Sequence, residues 1–399
     1  MDRFYVQNFG CRATQADGAA IERQLEDRGL ERAANIQNAD LVVLNTCTVT
    51  AAADQDARAA VRRMHRENPD ARIVVTGCYA QRAPHELASL PGVAQVIGNS
   101  HKHRLAEITE LGRLKEAPRN PTFVPLSRLI SDGHPEVFVS DIFAHTELLA
   151  APVFDAANER TRPNLKIQDG CDNRCSFCVI PFVRGQSRSL SPERIVREVE
   201  TLVHSGFREL VVSGINLGRW GRDLGSKFSF EDLLRTILDR TSLEKLRISS
   251  VEPMDWSDEL IALVASSPRI AKHAHVPMQS GSDAVLRRMH RKYRPWHYRN
   301  KIEKIRGATP EAAIGADVMV GFPGETDEEF EETRRMVEEL PFTYLHVFTY
   351  SARPGTAAAS MKMQVPSQVA RERNRILREM VGCKWQKKFI QNLSNGAIN

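Results

Sequence analysis

The most constraining feature of this 399-residue sequence is a loop with three cysteines in eight residues, Cys171-Asp172-Asn173-Arg174-Cys175-Ser176-Phe177-Cys178. The spacing C-x3-C-x2-C allows one short loop to wrap a single metal centre. A structural zinc site normally closes with four protein ligands, and neither a histidine nor a fourth cysteine follows in the next two turns of chain. The loop therefore predicts a metal site that keeps one coordination position open.

Thiolates in this spacing favour an iron–sulfur cluster over zinc. A four-iron cluster held by only three cysteines leaves one iron free for an exchangeable ligand. S-adenosylmethionine is the expected ligand, because its amino and carboxylate groups can chelate that iron while the cluster delivers one electron to the sulfonium. A zinc loop that borrows a remote fourth ligand is the alternative interpretation.

A second set of cysteines, Cys11, Cys47 and Cys78, is widely separated in sequence but repeats one local pattern. Each of these residues follows an apolar segment that reads as a strand. The predicted strands are residues 3–9, 40–45, 71–76 and 93–97, and they alternate with helix patterns at 16–29, 51–66 and 84–89. This alternation predicts βαβ units and an open parallel, Rossmann-like sheet.

The carboxyl ends of parallel strands meet at one edge of a sheet, where the loops form a ligand crevice. Cys11, Cys47 and Cys78 are therefore expected to converge there and to hold a second metal centre, for which a second iron–sulfur cluster is the preferred interpretation. A lone buried cysteine is usually a small apolar residue. The seventh cysteine, Cys383, stands apart from both sets and is interpreted in that ordinary way.

The rest of the chain divides into a linker and a second α/β region. Periodicity is lost from residue 101 to 163, where six prolines indicate a linker or crossover. From residue 165 the alternation returns, with predicted strands at 165–168, 209–213, 246–250, 273–277, 314–320 and 344–350 and helix patterns centred on Ile195, Leu233, Leu260, Leu286, Ile302 and Met336. Six strand–helix repeats predict a partial (β/α)6 barrel, whose reactive site lies at the carboxyl ends of the strands.

Several polar motifs follow those strands and are candidate binding residues for a nucleoside sulfonium. A glycine turn after the second strand can approach the methionine amino group, hydroxyls and a carboxylate after the third can hold a ribose, and a turn after the fourth offers amide donors. The candidate residues are Phe177 in the loop itself, Gly214, Asn216, Ser250, Glu252, Gln279 and Ser280. Arg184, shortly after the cysteine loop, is a candidate catalytic residue that could face a substrate phosphate or a sulfur species.

Composition narrows the class of protein further. The net charge of +5 permits nucleic-acid binding without requiring it. The cysteine pattern differs from that of a small secreted disulfide scaffold, and the metal-binding thiols imply a reducing compartment. The amino terminus has no signal-peptide core, and no run of about 18 apolar residues occurs. We therefore expect a cytoplasmic, soluble protein without a membrane segment.

With both cysteine sets in view, the chain resembles the radical S-adenosylmethionine methylthiotransferase family. The resemblance runs from Phe4 to about Ala358 and rests on short motifs in chain order. They are Asn45-Thr46-Cys47, Thr76-Gly77-Cys78, the C-x3-C-x2-C loop, Gln279-Ser280-Gly281-Ser282, Gly321-Phe322-Pro323-Gly324-Glu325-Thr326 and Tyr350-Ser351-Ala352-Arg353-Pro354-Gly355-Thr356.

The resemblance implies the chemistry of both cysteine sets. Cys171, Cys175 and Cys178 would hold the radical-generating [4Fe–4S] cluster, whose free iron binds S-adenosylmethionine. Cys11, Cys47 and Cys78 would hold an auxiliary cluster that carries sulfur. One S-adenosylmethionine would donate the methyl group, and a second would be cleaved to a deoxyadenosyl radical that abstracts hydrogen from the substrate. A flavodoxin- or ferredoxin-like protein would supply electrons, and the resemblance does not identify the sulfur donor.

Within the family, the motifs resemble most the branch that modifies N6-threonylcarbamoyladenosine beside the tRNA anticodon. The branches acting on isopentenyladenosine in tRNA and on an aspartate of a ribosomal protein are the alternatives. The implied layout is an amino-terminal domain at 1–120, a linker at 121–163, the barrel at 164–365 and a basic helical tail at 366–399. Family members usually have an additional small carboxy-terminal β-barrel that binds RNA, and no such barrel is expected within this sequence.

Two other classes of protein are also compatible with thiolate triads. An iron–sulfur electron carrier is disfavoured, because carriers generally complete each cluster with four thiolates. A zinc-binding RNA adaptor is the other alternative. Release of 5′-deoxyadenosine from S-adenosylmethionine would separate an enzyme from a carrier, and metal analysis would test the adaptor.

Overall fold

A computed structural model of the chain describes residues 2–114, 135–145, 148, 162–225 and 228–394. The chain divides into two compact units, the first formed by residues 1–172 with 179–188 and the second by residues 173–178 with 189–399. The predicted linker at 121–163 lies largely outside the described residues. Its described part contains a short strand of the first unit.

The first unit is an alternating α/β region. Its strands are β1 (Arg3–Asn8), β2 (Glu31–Arg32), β3 (Leu41–Thr46), β4 (Arg72–Gly77), β5 (Val93–Gly98), β6 (Glu136–Phe138) and β7 (Asn164–Asp169). Its helices are α1 (Arg12–Glu26), α2 (Ala51–Glu67), α3 (Cys78–Arg82), α4 (Pro84–Ala88), α5 (Leu105–Leu114) and α6 (Ile180–Arg184). The predicted strands and longer helices are confirmed, whereas α5 and β6 fall in the stretch where periodicity indicated only a linker.

Six strands of this unit form one parallel sheet in the order β2-β1-β3-β4-β5-β6. Apolar residues of β3 alternate between its two faces, Val42 and Leu44 packing in one core cluster and Leu41 and Val43 in another. A strand covered on both faces needs this continuous apolar run. The open parallel sheet predicted for the amino-terminal region is therefore confirmed.

The second unit continues the alternation. After β8 (Arg188–Ser189), which lies at the boundary between the units, come α7 (Pro192–His204), β9 (Glu209–Gly214), α8 (Phe230–Arg240), β10 (Lys245–Ile248), α9 (Asp258–Ser266), β11 (His273–His275), α10 (Asp283–Arg288), α11 (Pro295–Ala308), β12 (Ala313–Val320), α12 (Asp327–Glu339), β13 (Tyr344–Thr349) and α13 (Ser367–Ser394). Every strand predicted from residue 165 onward is present, and α13 covers the predicted helical tail.

Within the second unit, β9 pairs with β10 and β12 pairs with both β11 and β13, all in parallel. Parallel pairing places the loops after these strands at one edge. Helix starts are specified locally: Ser229 caps α8 and Thr326 caps α12 in capping boxes with Asp232 and Glu329. In the described part of the chain, β13 is the last strand.

Candidate active site

The first candidate site is the set of three cysteines at the carboxyl edge of the six-stranded sheet. Cys11 follows β1, Cys47 follows β3 and Cys78 begins α3 directly after β4. These three strands are neighbours in the sheet. Cys47 and Cys78 are buried, and Cys11 is exposed. The topology that the sequence predicted therefore brings the three thiols to one edge.

The thiols influence one another electrostatically. Burial, together with the neighbouring Cys78 and Cys11 thiols, raises the pKa of Cys47 to about 12. Gly10 permits a close approach, because a Cβ on this residue would lie 2.5 Å from Cys47 Cβ at a φ of +111°. The Asn99 side-chain amide lies 3.6 Å from Cys78 Sγ. Among the described residues, no group of three His, Cys, Asp or Glu side chains already has the arrangement of a metal site.

A buried cluster of charged side chains lies beside these thiols. Arg184 Nη1 donates to both oxygens of Asp169 at 2.9 and 3.0 Å, and its Nη2 donates to Asp17 Oδ2 at 2.9 Å. Lys102 Nζ donates to Asp17 at 2.9 Å, and Lys166 Nζ donates to Asp17 and, at 2.9 Å, to Asp169. All five side chains are buried. We call these five residues the charge cluster.

The charge cluster carries more positive than negative charge. Its three cations face two carboxylates, and Arg188, which lies 4.0 Å from Asp169, adds a fourth cation. Burial by itself raises the pKa of Asp17, but Arg184, Lys102 and Lys166 outweigh burial and hold that pKa at about 2. Burial lowers the pKa of Lys102. A net positive charge in a buried region is unfavourable unless an anion compensates it.

The field of the charge cluster reaches the thiols. Arg184 is electrostatically coupled to Cys78 and Cys11, and Lys102 is coupled to Cys78. Anionic sulfur at these cysteines would therefore be stabilised by the excess positive charge. The prediction that Arg184 faces a substrate phosphate finds no support in its placement, because the side chain is only 2% exposed and is fixed by Asp17 and Asp169.

The C-x3-C-x2-C loop begins directly after β7. Cys171 belongs to the first unit, where its amide donates to the Gly185 carbonyl at 3.0 Å. Gly170 just before it has a φ of +73°, and a Cβ there would lie 1.9 Å from the Gln186 carbonyl oxygen. Only glycine fits this position, since the left-handed φ and the close backbone contact both exclude a side chain. The start of the loop is thus held by backbone contacts.

From Asn173 to Cys178 the loop belongs to the second unit. The Ser176 amide and hydroxyl donate to the backbone carbonyls of Met289 and Arg288 at 3.1 and 2.7 Å. Phe177 meets Phe322 edge to face, with ring centroids 6.4 Å apart. Cys175 and Cys178 are half-buried. The loop therefore presents Cys175 and Cys178 from a backbone that is anchored on the carboxyl end of α10.

Cys175 has an additional partner in that segment. Arg291 Nη1 lies 3.3 Å from Cys175 Sγ, and its Nη2 forms an ion pair with Glu252. Arg291 and Cys175 line a cleft in the second unit, together with Glu252 and Tyr293. Glu252, predicted to hold a ribose, is therefore part of the surroundings of Cys175 through Arg291.

The other predicted binding residues lie at strand ends of the second unit with partners of their own. Ser250 Oγ lies 3.0 Å from His275 Nδ1, and Ser280 Oγ lies 3.1 Å from Thr333 Oγ1. Gln279 has a φ of +62°, which is uncommon for a residue with a side chain. Gly214 ends β9, and Asn216 is buried just beyond it. Their role in binding a nucleoside stays a prediction.

Sequence reasoning missed Asp17, Lys102, Lys166, Asp169, Arg291 and Tyr293. One signal was available, because Lys166 and Asp169 interrupt a segment that otherwise reads as a buried strand, and a charge in such a strand needs a partner. Lys102 and Arg291 carry no comparable signal, since they lie in polar stretches of sequence.

Two protein-family models match this chain. Residues 3–98 match the Uncharacterized protein family UPF0004, and residues 165–337 match the Radical SAM superfamily.

Curated relatives match almost the whole chain. The threonylcarbamoyladenosine tRNA methylthiotransferase MtaB of Bacillus subtilis is 40% identical over 91% of this chain and 77% of that protein. MtaB of Aquifex aeolicus is 37% identical over 97% of this chain and 89% of that protein. The chain belongs to the radical S-adenosylmethionine methylthiotransferase family. Another branch of this methylthiotransferase family also matches. Its tRNA-2-methylthio-N(6)-dimethylallyladenosine synthase from Thermobifida fusca is 35% identical over 94% of this chain and 73% of that protein.

Solved structures agree with the radical S-adenosylmethionine fold of this methylthiotransferase. The radical S-adenosylmethionine methyltransferase TsrM from Kitasatospora setae aligns with a TM-score of 0.63 at 17% identity, covering 90% of this chain and 74% of that one. The cobalamin-dependent radical enzyme OxsB aligns with a TM-score of 0.58 at 13% identity, covering 96% and 56%. At these identities the likeness concerns the fold alone. In the part of the chain that the structure describes, no helix is long and apolar enough to cross a bilayer.

Proposed function

We propose that this methylthiotransferase adds a methylthio group to C2 of N6-threonylcarbamoyladenosine next to the tRNA anticodon. The observation that carries the proposal is the similarity, at 33–40% identity over at least 91% of the chain, to five relatives named for threonylcarbamoyladenosine tRNA. A relative named for dimethylallyladenosine is 35% identical, so the isopentenyladenosine branch is the competing substrate. The location proposed with this function is the cytoplasm, and the support is the tRNA named as substrate of these relatives.

The cysteines of the C-x3-C-x2-C loop fit a radical-generating [4Fe–4S] cluster. Three thiols, an anchored loop and an arginine directed at one sulfur match what an anionic, three-thiolate cluster needs. When bound, the cluster supplies the electron that cleaves S-adenosylmethionine. Cys171, Cys175 and Cys178 would hold it, and Phe177 shields the loop by packing on Phe322.

Cys11, Cys47 and Cys78 would hold an auxiliary [4Fe–4S] cluster. The support comes from the charge cluster, because its excess of positive charge lies beside these thiols and favours an anionic occupant. Arg184 and Lys102 would stabilise the thiolates, and Asn99 would lie beside Cys78.

The two triads can be tested separately by iron content. Anaerobic reconstitution of the wild type should give about eight irons per chain, and the triple variant Cys11→Ala, Cys47→Ala, Cys78→Ala should lose half of them. The triple variant should still release 5′-deoxyadenosine from S-adenosylmethionine. Unchanged iron content in the triple variant would refute the auxiliary site.

An acidic, flavodoxin- or ferredoxin-like protein is the proposed electron donor. The support is that Arg174 and Lys292, both exposed cations, line the cleft that reaches Cys175. Long-range attraction between such cations and an acidic carrier speeds association and weakens with salt. The variant Lys292→Glu should slow turnover with a flavodoxin reducing system and leave turnover with dithionite unchanged. An equal loss with both reductants would contradict this docking surface.

The substrate assignment is tested by mass spectrometry of tRNA nucleosides from cells with and without the gene. Loss of the methylthiolated threonylcarbamoyl nucleoside is expected. Complementation with wild type or with Cys383→Ser, which alters the thiol outside both sets, should restore it, and Cys175→Ser should not. Loss of the methylthiolated isopentenyl nucleoside, or no change, would overturn the substrate assignment.

A further inference from the structure

Other residues constrain both members of the contact between Arg291 and Cys175. Arg291 is 7% exposed, and its Nη1 lies 3.3 Å from the Cys175 sulfur. Its Nε donates to the Tyr293 hydroxyl at 3.3 Å, and that hydroxyl in turn donates to the Met278 carbonyl at 2.7 Å. The position of the guanidinium is therefore fixed by residues other than the cysteine that it approaches.

The cysteine side of the contact is equally constrained. Ser176, the neighbour of Cys175, forms two hydrogen bonds with the backbone carbonyls of Arg288 and Met289, which lie three and two residues before Arg291. One short segment thus supplies both the anchor of the loop and the cation at its sulfur. The distance between the two groups follows from the backbone, not from the rotamer of a mobile surface side chain.

Glu252 opposes the charge of Arg291 from the other end of the guanidinium. Arg291 Nη2 is paired with a Glu252 oxygen, and Glu252 is more exposed than Arg291, with a quarter of its side chain accessible. The Cys175 sulfur is therefore in direct contact with the Arg291 cation, and the Glu252 carboxylate lies on the far side of that cation. Inside a protein, charges at such distances act far more strongly than they do in water.

We propose that Arg291 raises the reduction potential of the cluster held by Cys175 and that Glu252 counteracts it. The inference rests on the proposed function, since it takes Cys175 as a cluster ligand. Reduction adds one negative charge to the cluster, and hydrogen bonds and positive charge at the sulfurs favour the reduced form. Arg291 and Glu252 are thus positioning residues that set how readily the enzyme accepts the electron for S-adenosylmethionine cleavage.

A purely structural role makes a different prediction. If Arg291 and Glu252 formed only a stabilising ion pair, removal of either partner would weaken the site in the same way. The electrostatic proposal instead requires shifts of opposite sign, because one variant removes a positive charge and the other removes a negative one.

The test is a redox titration followed by electron paramagnetic resonance. The background carries Cys11→Ala, Cys47→Ala and Cys78→Ala, so that one cluster is observed, and S-adenosylmethionine is omitted. Arg291→Met should shift the reduction equilibrium at least tenfold toward the oxidised cluster, which corresponds to ~59 mV for one electron. Glu252→Gln should shift it toward the reduced cluster, and Arg291→Lys should shift it less than Arg291→Met.

Arg373→Met is the matched control, because Arg373 is also a buried arginine of the second unit and pairs with Glu325 at 2.7 Å through Nη1. It should leave the reduction equilibrium unchanged. Iron content per chain identifies any variant that fails to hold its cluster, and the remaining variants then decide the outcome. An unmoved potential in Arg291→Met or in Glu252→Gln, or shifts of the same sign in these two variants, would overturn the inference.

Failure of the proposed function gives a different result. If the background protein held no four-iron cluster, Cys175 would not be a cluster ligand at all. A second case is that the background protein holds a four-iron cluster and the wild-type enzyme modifies tRNA, but the Arg291 and Glu252 variants keep the wild-type reduction potential. In that case only the inference about Arg291 would fail.

Discussion

Replacement of Arg184 by methionine should destabilise the first unit strongly. The guanidinium makes three hydrogen bonds of 2.9–3.0 Å to Asp169 and Asp17, and all three side chains are buried. Removing one partner of a buried ion pair costs about 3–5 kcal/mol. Lys102 and Lys166 still compensate the two carboxylates in the variant, so we expect a loss of about 3 kcal/mol, at the lower end of that range.

Hydrogen exchange is the appropriate assay for this loss. All four tryptophans lie in the second unit, so their fluorescence does not report on the first. Amides in the core strands β3 and β4 exchange only when the unit opens, and a loss of about 3 kcal/mol lowers their protection roughly a hundredfold. Mass spectrometry of peptides from these strands measures the change directly.

Two controls make the result specific. Arg104→Met removes an exposed ion pair of the same unit, with Glu107, and should leave protection unchanged. Adding Asp169→Asn to Arg184→Met should deepen the loss, because Lys102 and Lys166 would then face a single carboxylate. If Arg184→Met reduced protection less than tenfold, the charge cluster would not be a determinant of stability and the reasoning from buried charge would be refuted.

Three further predictions concern acid stability and two local constraints. Because the pKa of Asp17 is held at about 2, below its ordinary 3.8, its contribution of about 2 kcal/mol is present above pH 4 and is lost as the pH falls toward 2. The acid denaturation of Asp17→Asn should be less steep in that window, and an unchanged slope would contradict this. Gly170→Ala should displace the start of the cysteine loop, seen as lost iron at that site, and full iron content would show that the backbone contact can relax. Thr326→Ala should lower the stability of the second unit by about 1 kcal/mol in urea denaturation followed by tryptophan fluorescence, since it removes the cap of α12; an unchanged midpoint would refute that role.

The strands and the cysteines were predictable for the same reason. A buried parallel strand such as β3 needs a continuous apolar run, and the residue directly after such a strand lies at the carboxyl edge of the sheet. Cys47 and Cys78 could be placed at that edge from local pattern alone. By contrast, α5 and β6 escaped prediction: α5 was included in a stretch interpreted as a linker from its prolines, and the three residues of β6 are too few to show a period.

The contacts that set the chemistry of the sites were not predictable in this way. Arg184 and Asp17 are 167 residues apart, and Arg291 and Cys175 are 116 residues apart. No local pattern encodes such pairs, since they exist only after separate segments pack together. Predicted site residues such as Ser250 and Ser280 were located at strand ends, but their hydrogen-bond partners came from other elements.

The amino-acid sequence by itself determined the fold class, the strand order along the chain, the two thiol sets and the family, because these depend on residue type, spacing and periodicity. Tertiary structure alone decided which charges meet: a buried excess of cations beside Cys78, and an arginine held against Cys175 with a carboxylate behind it. The physical reason is that burial makes unpaired charge costly, so the partners of a buried charge are chosen by three-dimensional packing and not by neighbours in the chain.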